Sequence, residues 1–218
     1  MTASTDSAEI AVVGMGLVFP GPDGPDGFWS MVRDGATALR EVPGGRWGIP
    51  PANLAGPDAR GEDRVDSTRG AFLDDDRLHA DEVAALGLSA ELAAALDPVF
   101  HVALRAGLRA WRDARLDRLE PERLRRAGVI LGNIVLPTDG AAELSRRILA
   151  GEVSPVPSDR DAAFQLFNAC PAGLPAGLLA SALGLGGRSF TLDAACASSL
   201  YAVGLACEEL AAGRADVV

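Results

Sequence analysis

Thr191-Leu192-Asp193-Ala194-Ala195-Cys196-Ala197-Ser198-Ser199-Leu200 is the stretch on which the reading of this chain turns. Upstream, Arg188 to Asp193 follows Gly186-Gly187 and carries Phe190, Thr191 and Leu192 in alternation, which predicts a short strand. Downstream, Ala194 to Ala212 places Leu200, Val203, Cys207 and Leu210 at steps of three and four, which predicts an amphipathic helix with an apolar stripe, ended by Gly213. A cysteine is therefore expected where a strand turns abruptly into a helix. A sulfur at a helix N-terminus meets unpaired N–H groups and the positive end of the dipole, which favour thiolate over thiol. Small neighbours let a carbonyl approach, and the same N–H groups can hold the oxyanion of an acyl-transfer intermediate. On the residues alone, Cys196 reads equally well as a small buried filler, the usual fate of a free cysteine.

The surrounding pattern alternates strands with helices. Ile10 to Val13, ending in Gly14-Met15-Gly16, predicts a buried first strand and a turn, and Gly128 to Val135 a central strand. Asp216-Val217-Val218 reads as the opening of another. Asp26 is expected to cap a short helix through Phe28, Trp29, Met31 and Val32 that Gly35 stops. Leu88 to Arg126 has helical spacing with a new start at Asp97-Pro98, and Ala141 to Ala150 and Gly173 to Leu183 predict two more helices. Residues from about 42 to 68 are rich in Pro, Gly and charge and read as an irregular surface segment. The class is α/β with a largely parallel sheet.

The 218 residues are 48% hydrophobic and 23% charged, enough for a sizeable core and too apolar for a disordered chain. All 20 basic residues are arginine, and 30 acids bring the formal net charge to −10. An acidic surface argues against nucleic acid as a partner. The arginines between Arg105 and Arg126 alternate with Asp113, Asp117, Glu120 and Glu122 and read as a solvated helix face. No run approaches the roughly 18 apolar residues of a membrane span, and Met1 to Glu9 lacks the regions of a signal peptide, so a cytoplasmic protein is expected. The three cysteines, Cys170, Cys196 and Cys207, form no C-x-x-C pair, which fits a reducing compartment and no thiolate zinc site.

The other candidate motifs are weaker. Gly14-Met15-Gly16 lacks the third glycine of a dinucleotide fingerprint, with Phe19-Pro20 where a phosphate-binding helix should start. Asp74-Asp75-Asp76 reads as solvated carboxylates rather than a cation site. Cys170 and Cys207 read as packing thiols. His79, in an acidic loop, and His101, on a helix face, read as structural.

Asp193-Ala194-Ala195-Cys196-Ala197-Ser198-Ser199-Leu200 resembles the D-T-A-C-S-S-S-L nucleophile motif of β-ketoacyl synthases, in particular the ketosynthase domains of polyketide and related lipid synthases. Other stretches agree in order: Ile10 to Gly16 with Phe19-Pro20-Gly21, Phe28-Trp29, Val42-Pro43 with Arg46-Trp47, Gly70-Ala71-Phe72-Leu73, and Leu96-Asp97-Pro98. The departures are Ala194 and Ala197, where the motif has hydroxyls, and Val99-Phe100-His101, where the family often has polar residues.

The resemblance implies a thiolase-like layered fold, of which residues 1–218 form the N-terminal half only, incomplete at the C-terminus, with the second half missing. It implies Cys196 as the nucleophile that takes an acyl group from an acyl carrier protein, its own backbone N–H in the oxyanion hole. It further implies decarboxylative Claisen condensation of acyl and malonyl units, a homodimer through about Arg188 to Asp193, and no metal or organic cofactor beyond the phosphopantetheine arm of the carrier. The family's two catalytic histidines sit in H-G-T and N-x-G-H motifs that this sequence does not contain, so the fragment alone is expected to be inactive. The alternative is a non-catalytic subunit or fragment that shapes an acyl channel or pairs with a second chain.

Overall fold

Asp97 and Pro98 decide where the longest helix among the described residues begins. The computed structural model describes residues 9–55, 64–134, 136, 138–152 and 173–218. In it the Asp97 carboxylate accepts a hydrogen bond from the Val99 N–H at 3.3 Å and Pro98 supplies the first helical residue of α4 (Pro98–Asp113). The inner face of α4 carries Phe100, Leu104 and Leu108, all buried, against Leu86, Leu96 and Val129 and against Ala176, Leu179 and Ala180 of α7 (Pro175–Ala182). Each such large side chain contributes on the order of 1.5 to 3 kcal/mol by leaving water. Gly107 lets the two helices touch, since a Cβ there would collide with the Leu179 side chain.

Two short helices, α2 (Ala80–Ala85) and α3 (Ala90–Ala95), precede α4. The first corrects the reading of His79 as lying in a loop. His79 is the N-cap of α2, with its backbone N–H donating to Glu82 Oε2 at 2.8 Å in a reciprocal capping box. The solvated arginine face is corrected at its first member. Arg105 shares the inner face of α4 with Leu104 and Leu108, is 4% exposed, and donates through Nε to Glu82 Oε2 at 2.9 Å. Burial of the guanidinium is tolerated because that carboxylate neutralises it. The short α5 (Pro121–Leu124) then leads into the sheet.

Strands β3 (Val129–Gly132) and β4 (Ser189–Leu192) run parallel, with Val129 opposite Ser189 and Gly132 opposite Leu192. Successive N–H groups of a strand point to opposite sides. Val129 donates to Arg188 and Gly128 donates to Val217, both at 3.0 Å, so the chain at Val217 flanks the side of β3 away from β4. The expected strand at Asp216 to Val218 is thus a single bridge, Ala127 to Val217. Helix α6 (Asp139–Leu149) starts two residues earlier than expected because Thr138 caps it, its hydroxyl accepting from the Ala141 N–H at 3.2 Å. Helix α8 (Ser198–Ala211) packs on β3.

The expected first strand is not a strand. Val12 and Val13 are 84% and 62% exposed, and residues 10–13 form no ladder among the described residues. The glycines explain where the segment goes instead: a Cβ on Gly14 would stand 2.6 Å from the Ala110 carbonyl oxygen, and Met15 donates its N–H to Asp113 Oδ2 at 2.8 Å. The backbone lies directly on α4, a contact only glycine permits.

Residues Leu17–Asp76 make a second compact unit. Helix α1 (Gly24–Arg33) begins ahead of Pro25, with Asp23 rather than Asp26 at the N-cap position, because proline sets φ for a first turn. Asp26 sits within that first turn. Phe19 stacks on Phe28 with ring centroids 4.9 Å apart. A ladder unexpected from the sequence pairs β1 (Leu39–Glu41) with β2 (Arg69–Ala71) antiparallel, continued by Val42 donating to the Thr68 carbonyl at 2.9 Å. Between them, the described residues hold one 3-10 turn at Pro51–Asn53.

Candidate active site

The carboxyl ends of β3 and β4 open onto the turn that carries Cys196. Asp193, immediately after β4, accepts a hydrogen bond from the Ala195 N–H on Oδ1 at 2.8 Å, a local Asx turn that reverses the chain. Ala195 adopts a left-handed conformation, φ +49°, which a non-glycine residue enters at a cost. The Ala197 N–H donates to the Ala194 carbonyl at 3.1 Å, closing a 3-10 turn over Ala195–Ala197 with Cys196 exposed at its centre. The helix therefore begins at Ser198 and not at Ala194, and the cysteine precedes it by two residues. Ala194, Ala195 and Ala197 have no polar side chain to tie down the turn.

Ser198 does so. It is 5% exposed; its Oγ accepts from the Ala194 N–H at 2.9 Å and donates to the Ala195 carbonyl at 2.7 Å. Its backbone N–H donates to the same carbonyl. The Cys196 N–H has no backbone acceptor among the described residues. Beneath the turn, Gly132 ends β3 against the Ser198 backbone, and Asn133 donates its N–H to Leu192 at 3.0 Å.

Three of these features carried a signal. An aspartate two residues ahead of a tight turn is an Asx pattern, Gly132 closes an apolar run, and two serines stand one residue beyond the cysteine. The left-handed φ at Ala195 has none, because alanine does not announce it.

The predicted apolar stripe of α8 is corrected. Leu200 and Val203 are 76% and 62% exposed, and the helix buries Ser198 and Ala202 instead, small residues that let it approach β3 closely. Cys207 is half-buried and lines an apolar groove of about 360 Å³ with Val12, Trp111, Val203, Leu210 and Val217. Cys170 lies outside the described residues. At the far end of α8, Glu209 pairs with Arg188 and Arg214, each at 3.0 Å, and the Arg214 hydrogen bond holds its carboxyl below the ordinary value.

The remaining candidates have structural duties. His101 is buried, and its Nδ1 accepts from the Leu78 N–H at 3.1 Å. Asp74 is paired with Arg40, and Asp76 lies 3.5 Å from Arg46. No group of three or more metal-ligating side chains occurs among the described residues, and no helix there is long and apolar enough to cross a membrane.

A parallel β-α layer that ends in a left-handed, cysteine-bearing turn ahead of a helix defines a thiolase-like fold of the ketosynthase kind. The profile of the β-ketoacyl synthase N-terminal domain matches residues 7–218, and the chain belongs to that family, a family of transferase-type enzymes. It is 33% identical over 221 residues to a phenolphthiocerol/phthiocerol polyketide synthase of Mycobacterium bovis, covering 99% of this chain and 11% of that protein. It is also 33% identical over 208 residues to the polyketide synthase GfsB of Streptomyces halstedii, covering 94% of this chain and 3% of that one. The chain thus spans 11% or less of the length of these relatives. Among solved structures, the PfaC keto synthase–chain length factor superposes with a TM-score of 0.71 at 30% identity, covering 94% of this chain and 23% of that one. The oxazolomycin ketosynthase domain OzmH KS7 of Streptomyces albus JA3453 shares the fold, with a TM-score of 0.68 at 24% identity over 94% of this chain and 32% of that one.

Proposed function

We propose that Cys196 is the acyl-accepting nucleophile of a β-ketoacyl synthase that condenses acyl and malonyl units on an acyl carrier protein in polyketide or fatty-acid biosynthesis. The observation that carries this reading is the exposed Cys196 on its left-handed turn, with a backbone N–H left without a backbone acceptor among the described residues. The Cys196 thiolate attacks the thioester carbonyl of the carrier's phosphopantetheine arm. A bond forms from Sγ to the acyl carbon, the carbonyl oxygen takes negative charge facing the Cys196 N–H, and the bond to the carrier sulfur breaks, that thiol leaving with a proton.

Condensation is the second step. Loss of carbon dioxide from malonyl thioester leaves an enolate whose carbon attacks the acyl-Cys196 carbonyl and expels the thiolate. Groups that stabilise the enolate are required. His79 caps α2 and His101 braces Leu78, so neither is offered for that role, and the second half of the catalytic unit would supply it. A homodimer through β4 and a cytoplasmic setting with reduced cysteines belong to the same reading.

The experiment is a challenge of the protein with a short-chain acyl thioester and, separately, with a cerulenin-like electrophile, followed by peptide mass spectrometry. An adduct on Cys196, absent in Cys196→Ala, is the expected result. Labelling of Cys170 or Cys207 in its place overturns the assignment, and no adduct on any cysteine favours the non-catalytic channel-shaping or pairing role.

A further inference from the structure

We infer that Ser198 is the positioning residue for Cys196, an inference that rests on the acyl-transfer reading and deepens it. The turn from Asp193 to Ser198 holds a strained left-handed residue, Ala195, and three alanine side chains that cannot form hydrogen bonds. A strained conformation persists only where its surroundings over-determine it. Here the constraint comes chiefly from one buried hydroxyl. Ser198 Oγ accepts from the Ala194 N–H at 2.9 Å, before the strained residue, and donates to the Ala195 carbonyl at 2.7 Å, at that residue itself.

With Asp193 holding the Ala195 N–H and the Ser198 N–H on the Ala195 carbonyl, every one of these bonds closes around the residue preceding Cys196. Ser198 is in turn anchored from below, because its backbone rests on Gly132. The consequence is that the position of the sulfur, and of the Cys196 N–H, is set by a side chain two residues away that touches no reacting atom. A sulfur held against unpaired N–H groups reacts faster than one that swings free.

The test compares Ser198→Ala, Ser198→Thr and the wild-type protein at full length, with iodoacetamide as probe and Cys207 as internal control. Ser198→Ala is expected to slow labelling of Cys196 about tenfold with Cys207 unchanged, and Ser198→Thr, which restores the hydroxyl, to recover most of the rate. Where Ser198→Ala alone fails to fold, the same labelling is read in all three proteins with sucrose added, which favours the folded state without restoring the hydroxyl. Unchanged Cys196 labelling overturns the inference, as does a rise of Cys196 and Cys207 together, which would mark general loosening. Acyl transfer from a thioester is followed separately in the wild-type protein. Its failure sinks the proposed function, while the iodoacetamide comparison still decides the role of Ser198.

Discussion

Gly132 at the end of β3 lies so close beneath Ser198 that a Cβ on the glycine would stand 2.5 Å from the Ser198 carbonyl oxygen and 2.7 Å from the Ser199 nitrogen. Both atoms belong to the backbone of the first turn of α8, so no flexible side chain is there to yield. Gly132→Ala therefore has to lift the helix start, with overpacking that destabilises by about 1 to 3 kcal/mol. Thermal denaturation is expected to show that loss together with slower acylation of Cys196. An unshifted melting temperature would mean that α8 moves freely over β3.

Ala195 sits at φ +49°, where its methyl group is the source of strain. Ala195→Gly removes about 1 to 2 kcal/mol of left-handed strain and loses a comparable amount to unfolded-state entropy, so its stability stays within about 1 kcal/mol of the parent. Ala195→Val adds a branched Cβ to the same conformation and is expected to destabilise by about 1 to 3 kcal/mol. Equal stability of the valine variant, in chemical denaturation, would show that the turn has relaxed out of the left-handed region.

What the sequence discloses about this turn and what it withholds have the same root. Alternation into Leu192 and spacing by three and four after Ser199 mark a strand and a helix whatever their partners, so Cys196 is legible at the junction. Which face of α8 is buried is not legible, since Leu200, Val203, Ala202 and Ala206 make it apolar on several sides and only the small residues meet β3. Ile10 to Val13 fails for a related reason: a branched apolar run reads alike whether it joins a sheet or lies along α4 beside Gly14. The β1–β2 ladder escaped because Arg40, Glu41 and Arg69 leave three-residue strands with no apolar face. Buried Arg105 is decided by Glu82, a neighbour 23 positions away.

Glu209 ties the end of α8 to Arg188, just before β4, and to Arg214. Its folded-state pKa is lowered, first by the Arg214 hydrogen bond and then by the charges of Arg188 and Arg214, with burial opposing. A carboxylate depressed on folding contributes stability that is complete above its unfolded pKa and is lost as pH falls through the folded one. The loss is thus expected from the ordinary carboxylate range downward. Glu209→Gln should be less stable than the parent at neutral pH, and the difference should shrink on acidification, as followed by melting temperature against pH. A gap that persists unchanged into acid would remove the ion pair as its cause.

The two histidines are held by contacts with the segment around α2. His101 is 3% exposed, and its Nδ1 accepts the Leu78 N–H, while Nε2 lies 3.1 Å from Arg77 Nη1. His101→Ala leaves the part-buried Leu78 N–H without its acceptor, which costs up to about 1 to 3 kcal/mol, and the loss of a buried ring adds to it. His79→Ala removes the side-chain half of a capping box, worth about 0.5 to 2 kcal/mol. Both changes act at the segment before α2 and on α4, whereas Cys196 is held by Asp193, Ser198 and Gly132. Each variant is expected to melt earlier and yet, at a temperature where it is fully folded, to take an acyl group on Cys196 at the parental rate. A folded His101 or His79 variant that loses acylation would place that ring in the reaction and overturn its structural assignment.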